Sequence, residues 1–266
     1  MACKHIYVTA PNRITETSFE NASVSDNKIV KRLWFGIDSC NPSDNHLQNN
    51  LDLFEWAVRN KIYPNFWGRN ISGVNSLTKE EVEYLHGKGC KIATYYKTDE
   101  EKKTEEQGKI TAKKVILRAF ELGIPGDVVI FLEIDDNDDV TTNYMRGYAK
   151  ALISEGYVPG FKANTDAKYG FDREFSRGMR IDNEVFKQCL IWAVTPNLTE
   201  YDRITMTHLI HPDNWMPYAP SGITRKEIAI WQYGKNCHPI YDDFDQEVTF
   251  NLNLVRNENV IIEKML

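Results

Sequence analysis

Residues 128–139, VVIFLEIDDNDD, decide the fold class of this chain, because a short apolar run ends abruptly in acidic and amide side chains. An apolar run of this length is typical of a strand that is buried on both faces of a parallel sheet. Similar segments recur along the chain and alternate with amphipathic segments that predict helices. The alternation predicts parallel strands joined by right-handed helical crossovers.

The strand and helix patterns repeat through most of the 266-residue chain. Strands are predicted at residues 32–40, 63–71, 90–97, 127–135, 157–165, 191–197 and 226–234, with a further one within 204–210. Helices are predicted at residues 46–60, 76–89, 110–123 and 143–156 and within 171–190. Seven or eight such units in about 235 residues favour an α/β fold with a single domain, a (β/α)8 TIM-type barrel that tolerates irregularity in its last strands. Residues 1–30 are assigned to an N-terminal extension and residues 31–266 to the barrel.

The composition restricts the partners and the compartment. With 32 basic and 38 acidic residues, the chain carries a formal net charge of −6, which argues against nucleic acid as a partner. No stretch is long and apolar enough for a membrane span or for the core of a classical signal peptide. Five cysteines without a CxxC pair favour reduced thiols. We therefore expect a cytoplasmic protein, or one that is released without a classical signal peptide.

Two acids close the strand predicted at 127–135. Side chains alternate in direction along a strand, so Glu133 and Asp135 are expected on the face that points into the barrel, together with Val129 and Phe131. Barrel enzymes place their chemistry at this C-terminal end of the strands. Two carboxylates about 6.5–7 Å apart at Cα repel each other, which suits a division into an acid and a base. The pair is therefore a candidate catalytic site.

Other interpretations of the acidic run stay open. Asp135, Asn137 and Asp139 lie at alternate positions, as calcium ligands do in a loop between two helices, but the glycine and the glutamate of such a loop are absent. Solvation of a loop is enough to explain the acids that follow Asp135. The histidines and cysteines lack metal-ligand spacing, and no GxSxG, P-loop or GxGxxG motif is present. No metal and no cofactor is therefore predicted.

Further polar and aromatic side chains are expected at the same end of the barrel. Asp38 closes the first predicted strand, and a turn or N-cap role before NPSD is its alternative interpretation. Aromatic planes with neighbouring amides and carboxylates suit a sugar, since a pyranose has an apolar face and a rim of hydroxyls. The candidate substrate-binding residues are Arg69, Tyr95, Tyr96, Asn164, Trp231 and Gln232.

The order of several motifs resembles a known family. The motifs are FGIDSC, ELGIPGDVVIFLEID, GYVPGFKANT, IAIWQYG and FDQEVTFN, and they extend from about Trp34 to Asn251. In this order they resemble the glycoside-hydrolase family 25 lysozymes and, still more, the related glycoside-hydrolase-like domain of unknown function found in bacterial proteins. The resemblance implies a (β/α)-barrel that hydrolyses a β-1,4 bond, so a polysaccharide or peptidoglycan fragment is the expected partner.

The resemblance also implies roles for individual acids. Family members end their fourth strand in Asp-x-Glu, where this chain has Glu133-x-Asp135, so Asp135 would be the general acid. Glu133, Asp38 and Asp245 would supply electrostatic or base functions. The pair is reversed, and Thr249 stands where the last motif usually has an aspartate. Because a displacement of about 1 Å can cost about 100-fold in rate, an inactive barrel that binds carbohydrate or another partner is the second hypothesis.

Overall fold

A computed structural model describes residues 33–47, 50–198, 203–204, 215–239, 249–256 and 259–266. The strands are β1 Leu33–Asp38, β2 Phe66–Asn70, β3 Lys91–Tyr96, β4 Val129–Ile134, β5 Val158–Ala163, β6 Leu190–Leu198, β7 Arg203–Ile204, β8 Ile228–Pro239 and β9 Phe250–Arg256. The helices are α1 Leu53–Arg59, α2 Lys79–Gly87, α3 Glu105–Leu122, α4 Thr142–Ser154, α5 Gly170–Ile181, α6 Asn183–Phe186 and α7 Ile261–Lys264. No helix in these described ranges is long and apolar enough to cross a bilayer.

Eight of these strands close into a barrel, which confirms the predicted fold class. β1 to β6 pair in parallel order, and β6 continues in parallel to β8. β9 then closes the ring by pairing antiparallel with both β8 and β1. The irregularity expected in the last strands is therefore one reversed strand, β9, at residues where no strand was predicted. Of the further strand predicted within 204–210, the described residues include only the last residue of the two-residue β7, which pairs with β8.

Side-chain alternation separates the barrel interior from the layer beneath the helices. Val129 and Phe131 of β4 pack inside the barrel with residues such as Phe66 and Trp192. The other face of β4, which includes Ile130, packs with the apolar faces of the helices. This is the predicted register of β4, and it directs Glu133 into the barrel. We refer to the C-terminal opening of the barrel, above these interior rings, as the mouth.

The largest differences from the predicted helix boundaries are the starts of α1 and α3. α1 begins later, because Asp52 and Glu55 form a capping box and Asn50 just before it has a φ of 62°. α3 begins earlier, since Thr104 and Gln107 form a capping box of their own. Such boxes satisfy the free backbone N–H groups of the first helical turn. Neither change moves the end of a strand, so the mouth stays where the sequence predicts it.

Candidate functional site

A buried lysine connects two acids at the mouth. Asp38 is the last residue of β1, and Glu133 of β4 is the direct register neighbour of Lys162 in β5. The Lys162 side chain is 3% exposed, and its Nζ lies 3.2 Å from Asp38 Oδ2 and 3.5 Å from Glu133 Oε1. A single ammonium group therefore bridges carboxylates from β1 and β4 across the top of the barrel.

Aromatic rings surround the Lys162 ammonium. Its Nζ lies 4.0 Å from the ring centroid of Tyr95 and 4.7 Å from that of Trp192, distances at which a cation is attracted to a ring face. Burial alone would lower the pKa of Lys162, but the charges of Asp38 and Glu133 outweigh burial and raise it. For Tyr95, burial has the opposite effect and raises the pKa, because the charged form of a tyrosine is the deprotonated one. The phenol is therefore neutral beside a charged lysine at neutral pH.

Asp38 is held by donors on every side. Its Oδ1 accepts a hydrogen bond from Asn253 Nδ2 at 2.8 Å, and its Oδ2 accepts one from Asn251 Nδ2 at 2.8 Å and one from Lys162 Nζ at 3.2 Å. The residue is 1% exposed. Both asparagines belong to β9, whose antiparallel register places Asn251 directly opposite Asp38. Asp38 is therefore an internal anchor, and its interpretation as a turn or N-cap acid is wrong.

The floor of the mouth is an indole ring. Trp192 donates from Nε1 to Asn253 Oδ1 at 2.9 Å, and its ring packs edge-on against Phe131. A Cβ atom at Gly68 would lie 2.7 Å from this ring and 2.5 Å from the Cβ of Asp38. Only a glycine at position 68 therefore lets the ring and the anchor acid lie side by side.

Above this floor, a second lysine lies between the two predicted catalytic acids. Lys97 Nζ is 3.0 Å from Asp135 Oδ2 and 4.0 Å from Glu133 Oε2. The Glu133 side chain is 20% exposed and that of Asp135 is 52% exposed, so both reach solvent. Partial burial lowers the pKa of Lys97, but its hydrogen bond to Asp135 and the charge of Glu133 give a net increase. The open part of the mouth is thus a carboxylate pair with cations beside it.

The acids after Asp135 also pair with lysines, from the loop that follows β3. Asp138 Oδ2 accepts a hydrogen bond from the Asp135 backbone N–H at 2.8 Å and lies 3.0 Å from Nζ of the buried Lys102. Lys103 pairs with Asp139. The interpretation of this run as a merely solvated loop is therefore wrong for Asp138.

The same pairs argue against the calcium alternative, because lysine ammonium groups already neutralise these carboxylates. Within the described ranges, no group of three or more histidine, cysteine, aspartate or glutamate residues is arranged to hold a metal ion.

Arg69, a predicted substrate-binding residue, is instead a buried structural residue. Its guanidinium is fully buried and donates to the carbonyl oxygens of Ser39 at 3.2 Å and Asn75 at 2.6 Å. Its Nε lies 2.8 Å from Oε1 of Glu81 in α2. Arg69 therefore fastens the loops after β1 and β2 to α2, and the structure does not bring it into the mouth.

The two predicted residues of β8 are also buried. Trp231 packs against Trp215 and donates from its indole N–H to the Thr195 carbonyl at 3.1 Å. Its neighbour Gln232 is buried as well and pairs in register with Asn253. Because the Trp231 ring lacks an open face, it is not placed as a sugar platform.

The remaining predicted substrate-binding residues lie nearer the opening. Tyr95 contacts Lys162 at the mouth, whereas Tyr96 is half-buried in the outer layer, where burial raises its pKa. Asn164, just after β5, lines a small pocket together with Asp135 and Tyr169. Asp245, the fourth predicted acid, lies outside the described residues.

Sequence reasoning missed four polar residues of the mouth: Lys97, Lys162, Asn251 and Asn253. A signal for the asparagines was present, because FNLNLVR at 250–256 alternates polar and apolar residues as a half-buried strand does. A signal for Lys162 was its position inside an otherwise apolar strand, where a charge needs a partner.

Residues 62–248 match the protein-family model described as "Rv2525c-like, glycoside hydrolase-like domain". A comparison with curated proteins finds no match. Among solved structures, an uncharacterized B. stearothermophilus protein is similar over 88% of this chain and 100% of its own, with 24% identity and a TM-score of 0.70. The autolysin LytC from Streptococcus pneumoniae is similar over 84% of this chain and 46% of its own, with 12% identity and a TM-score of 0.50. A family GH25 lysozyme from Aspergillus fumigatus is similar over 85% of this chain and 94% of its own, with 12% identity and a TM-score of 0.48.

The structural similarities show the fold alone, and this chain spans about half of the LytC chain. The family match covers most of the chain and agrees with the resemblance found in the sequence motifs.

Proposed function

Because the chain belongs to the Rv2525c-like, glycoside hydrolase-like domain family, we propose that it cleaves a β-1,4 bond in peptidoglycan, the glycan of bacterial cell walls. The observation that carries the proposal is the pair Glu133 and Asp135. Glu133 lies at the C-terminal end of β4 and Asp135 directly after it, and both are partly exposed at the mouth. Glycoside hydrolysis commonly uses two such carboxylates on either side of the scissile bond.

The exposures of the two acids suggest different roles in the proposed reaction. Asp135 is the more exposed and is proposed as the general acid that protonates the leaving-group oxygen. Glu133 lies deeper and is proposed to face the positive charge that develops at the anomeric carbon. Asp38 is buried beneath both and is proposed to act without touching the substrate. Asp245 stays a proposed further acid on the strength of the sequence resemblance alone.

A second candidate function is glycan binding without cleavage. The observation that favours it is the position of Lys97, whose ammonium lies 3.0 Å from Asp135 and within 4.0 Å of Glu133. A sugar hydroxyl that donates to Asp135 must share that carboxylate with Lys97. A barrel with its acids paired in this way can still present carboxylates and amides such as Asn164 to a sugar rim.

One assay separates the two candidates. Purified protein is incubated with peptidoglycan and, separately, with chitooligosaccharides between about pH 4 and pH 8, and the release of reducing ends is measured. We expect release by the wild type and a loss of at least about 100-fold in Asp135→Asn and in Glu133→Gln, since a positioned acid or base contributes about 10²–10⁴-fold. The matched control is Asp127→Asn, at the opposite end of β4, where the side chain is 86% exposed.

Binding to the same glycans is measured in parallel by titration calorimetry. Wild-type protein that binds but releases no reducing ends supports the second candidate and rules out the first. Wild-type protein that neither binds nor cleaves rules out both. An Asp127→Asn variant as impaired as Asp135→Asn would show that the loss reflects general damage to the barrel.

A further inference from the structure

The carboxylates of Asp38 and Glu133 are engaged to different degrees. Asp38 accepts three hydrogen bonds, at 2.8, 2.8 and 3.2 Å, which occupy both of its oxygens. Glu133 is approached by ammonium groups from two sides, Lys162 at 3.5 Å from Oε1 and Lys97 at 4.0 Å from Oε2. These longer contacts orient the Glu133 carboxylate and leave its oxygens room for a donor from outside.

We propose that Lys162 is a positioning residue, which holds the Glu133 carboxylate towards the open mouth, and that Asp38 acts only by holding Lys162. The inference rests on the proposed function, because it assigns Glu133 as the acid that meets the glycan. It also ranks the acids differently from the sequence resemblance, which treats Asp38 as a direct participant.

The packing around Lys162 supports this assignment. The ammonium has little freedom to move, because it is held between the faces of Tyr95 and Trp192 and hydrogen-bonded to an acid that β9 itself fixes. Lys162 and Glu133 lie side by side in register on adjacent strands. The position of the Glu133 carboxylate therefore depends on β9, which fixes Asp38, and on Asp38, which fixes Lys162.

Several charged and titratable groups face Glu133, and they come from four strands of the barrel or from the residues just after them. Lys162 approaches from β5, Lys97 from the residue just after β3, and Asp135 from the residue just after β4. Asp38 reaches the site from β1 through Lys162, and Tyr95 of β3 lies under the ammonium. Among the described residues that face Glu133, Lys162 and Lys97 are the cations and Lys162 is the buried one, so solvent screens its charge least.

The test compares Lys162→Met, which shortens the side chain by one atom and removes the charge, with Lys187→Met, at an exposed lysine just after α6 that pairs with Glu184. At a temperature where both variants are folded, we expect kcat on peptidoglycan to fall about 100-fold in Lys162→Met, as a misplacement of about 1 Å does. KM is expected to stay within about threefold, and the acid side of the pH–rate profile to move to higher pH. Lys162→Arg, which keeps a positive charge, is expected to keep the wild-type profile.

A second readout does not depend on turnover. The folded protein is labelled with a water-soluble carbodiimide and an amine at a series of pH values, and modification of Glu133 is followed by mass spectrometry. Because carbodiimides react with the protonated acid, we expect the pH at which labelling is half-maximal to rise in Lys162→Met and to stay unchanged in Lys187→Met. Asp38→Asn, which keeps the shape of the anchor and removes its negative charge, is expected to lower the midpoint, because Lys162 then pairs with Glu133 alone.

Each outcome decides the proposal. If the wild type releases no reducing ends, the proposed cleavage is wrong. The labelling experiment then tests by itself whether Lys162 positions Glu133. If Lys162→Met does not fold, Asp38→Asn replaces it in both measurements. An unchanged labelling midpoint in the folded variants overturns the positioning role, and so does wild-type kcat in Lys162→Met.

Discussion

At the scale of single residues, position 68 shows how closely the mouth is packed. Gly68 leaves space that Trp192 and Asp38 fill, and an added Cβ would come within 2.7 Å of the ring and 2.5 Å of the acid. Real Cβ atoms do not approach other atoms so closely, so one of the two must shift. The anchor acid cannot shift without disturbing its hydrogen bonds from Asn251 and Asn253.

Gly68→Ala is therefore expected to destabilise the barrel by about 1–3 kcal/mol, the usual cost of overpacking a core. Urea unfolding followed by circular dichroism measures the change. The matched control is Gly87→Ala at the end of α2, where an added Cβ meets nothing within 4 Å. That change is expected to be neutral or to stabilise by up to about 1 kcal/mol, because alanine loses less entropy than glycine in a helix. Equal effects of the two substitutions would contradict the packing argument.

Residue-level prediction from sequence succeeded where it used a local rule and failed where partners came from distant strands. Alternation along β4 placed Glu133 on the interior face without knowledge of any other strand. The partner of that acid, Lys162, and the buried state of Arg69 depend on the closed barrel. The composition at strand ends cannot distinguish an arginine that binds a ligand from one that binds loop carbonyls.

At the scale of elements, two loops form one unit at the rim of the mouth. Lys97, Lys102 and Lys103 of the loop after β3 pair with Asp135, Asp138 and Asp139 of the loop after β4. The central pair differs from the outer ones because the Lys102 side chain is buried. Its Nζ also donates to the Thr98 carbonyl at 2.8 Å, and Asp138 in turn holds the Asp135 backbone N–H.

Lys102→Met is expected to lower the free energy of unfolding by about 1–3 kcal/mol, because it leaves the Thr98 carbonyl and the Asp138 carboxylate without their donor. Hydrogen exchange at the Asp135 amide is expected to become faster, since Asp138 is then less firmly held. Lys103→Met is the control, because its ion pair with Asp139 is exposed and such pairs contribute about 0–1 kcal/mol. Unchanged exchange at Asp135 in Lys102→Met would show that the loops are held by other contacts.

A helix or strand could be predicted to the extent that its own residues specify its ends and its direction. The capping box of Thr104 and Gln107 marks the start of α3 in the sequence. This start was not predicted, because the charged residues around it are typical of a loop. β9 also has its own alternating pattern, FNLNLVR, although no strand was predicted there. The antiparallel direction of β9 could not be predicted from its own residues, because it depends on how the chain returns from β8 to the free edge of β1.

At the scale of the whole molecule, barrel closure explains why the mouth contains so many buried ionisable groups. The family motifs and the repeating strand–helix pattern predicted the barrel, and eight closed strands confirm it. Closure by β9 places Asn251 and Asn253 over Asp38, and this allows an ion pair with Lys162 to exist away from water. The charge arrangement at the mouth is therefore a property of the complete ring, which no single segment of the sequence contains.

The buried ionisable groups also give the barrel an alkaline limit. The pKa of Lys162 is raised because the charges of Asp38 and Glu133 outweigh burial, and burial raises the pKa of Tyr95, Tyr148 and Tyr233. Unfolded tyrosine and lysine release their protons near pH 10–10.4. Above that pH the folded state therefore binds more protons than the unfolded state, so stability that is complete below about pH 10 decreases as the pH rises.

We expect the free energy of unfolding to vary little on account of these groups between about pH 7 and pH 9.5 and to fall above pH 10, by about 1.4 kcal/mol per pH unit for each group that stays protonated in the fold. Urea unfolding at a series of pH values measures the slope. Tyr95→Phe keeps the ring beneath Lys162 and removes one titrating phenol, so its slope above pH 10 is expected to be smaller by about one group. Tyr218→Phe, at an exposed position, is the control and is expected to keep the wild-type slope. A stability that stays constant to pH 11 would show that these groups lose their protons in the folded barrel at little cost.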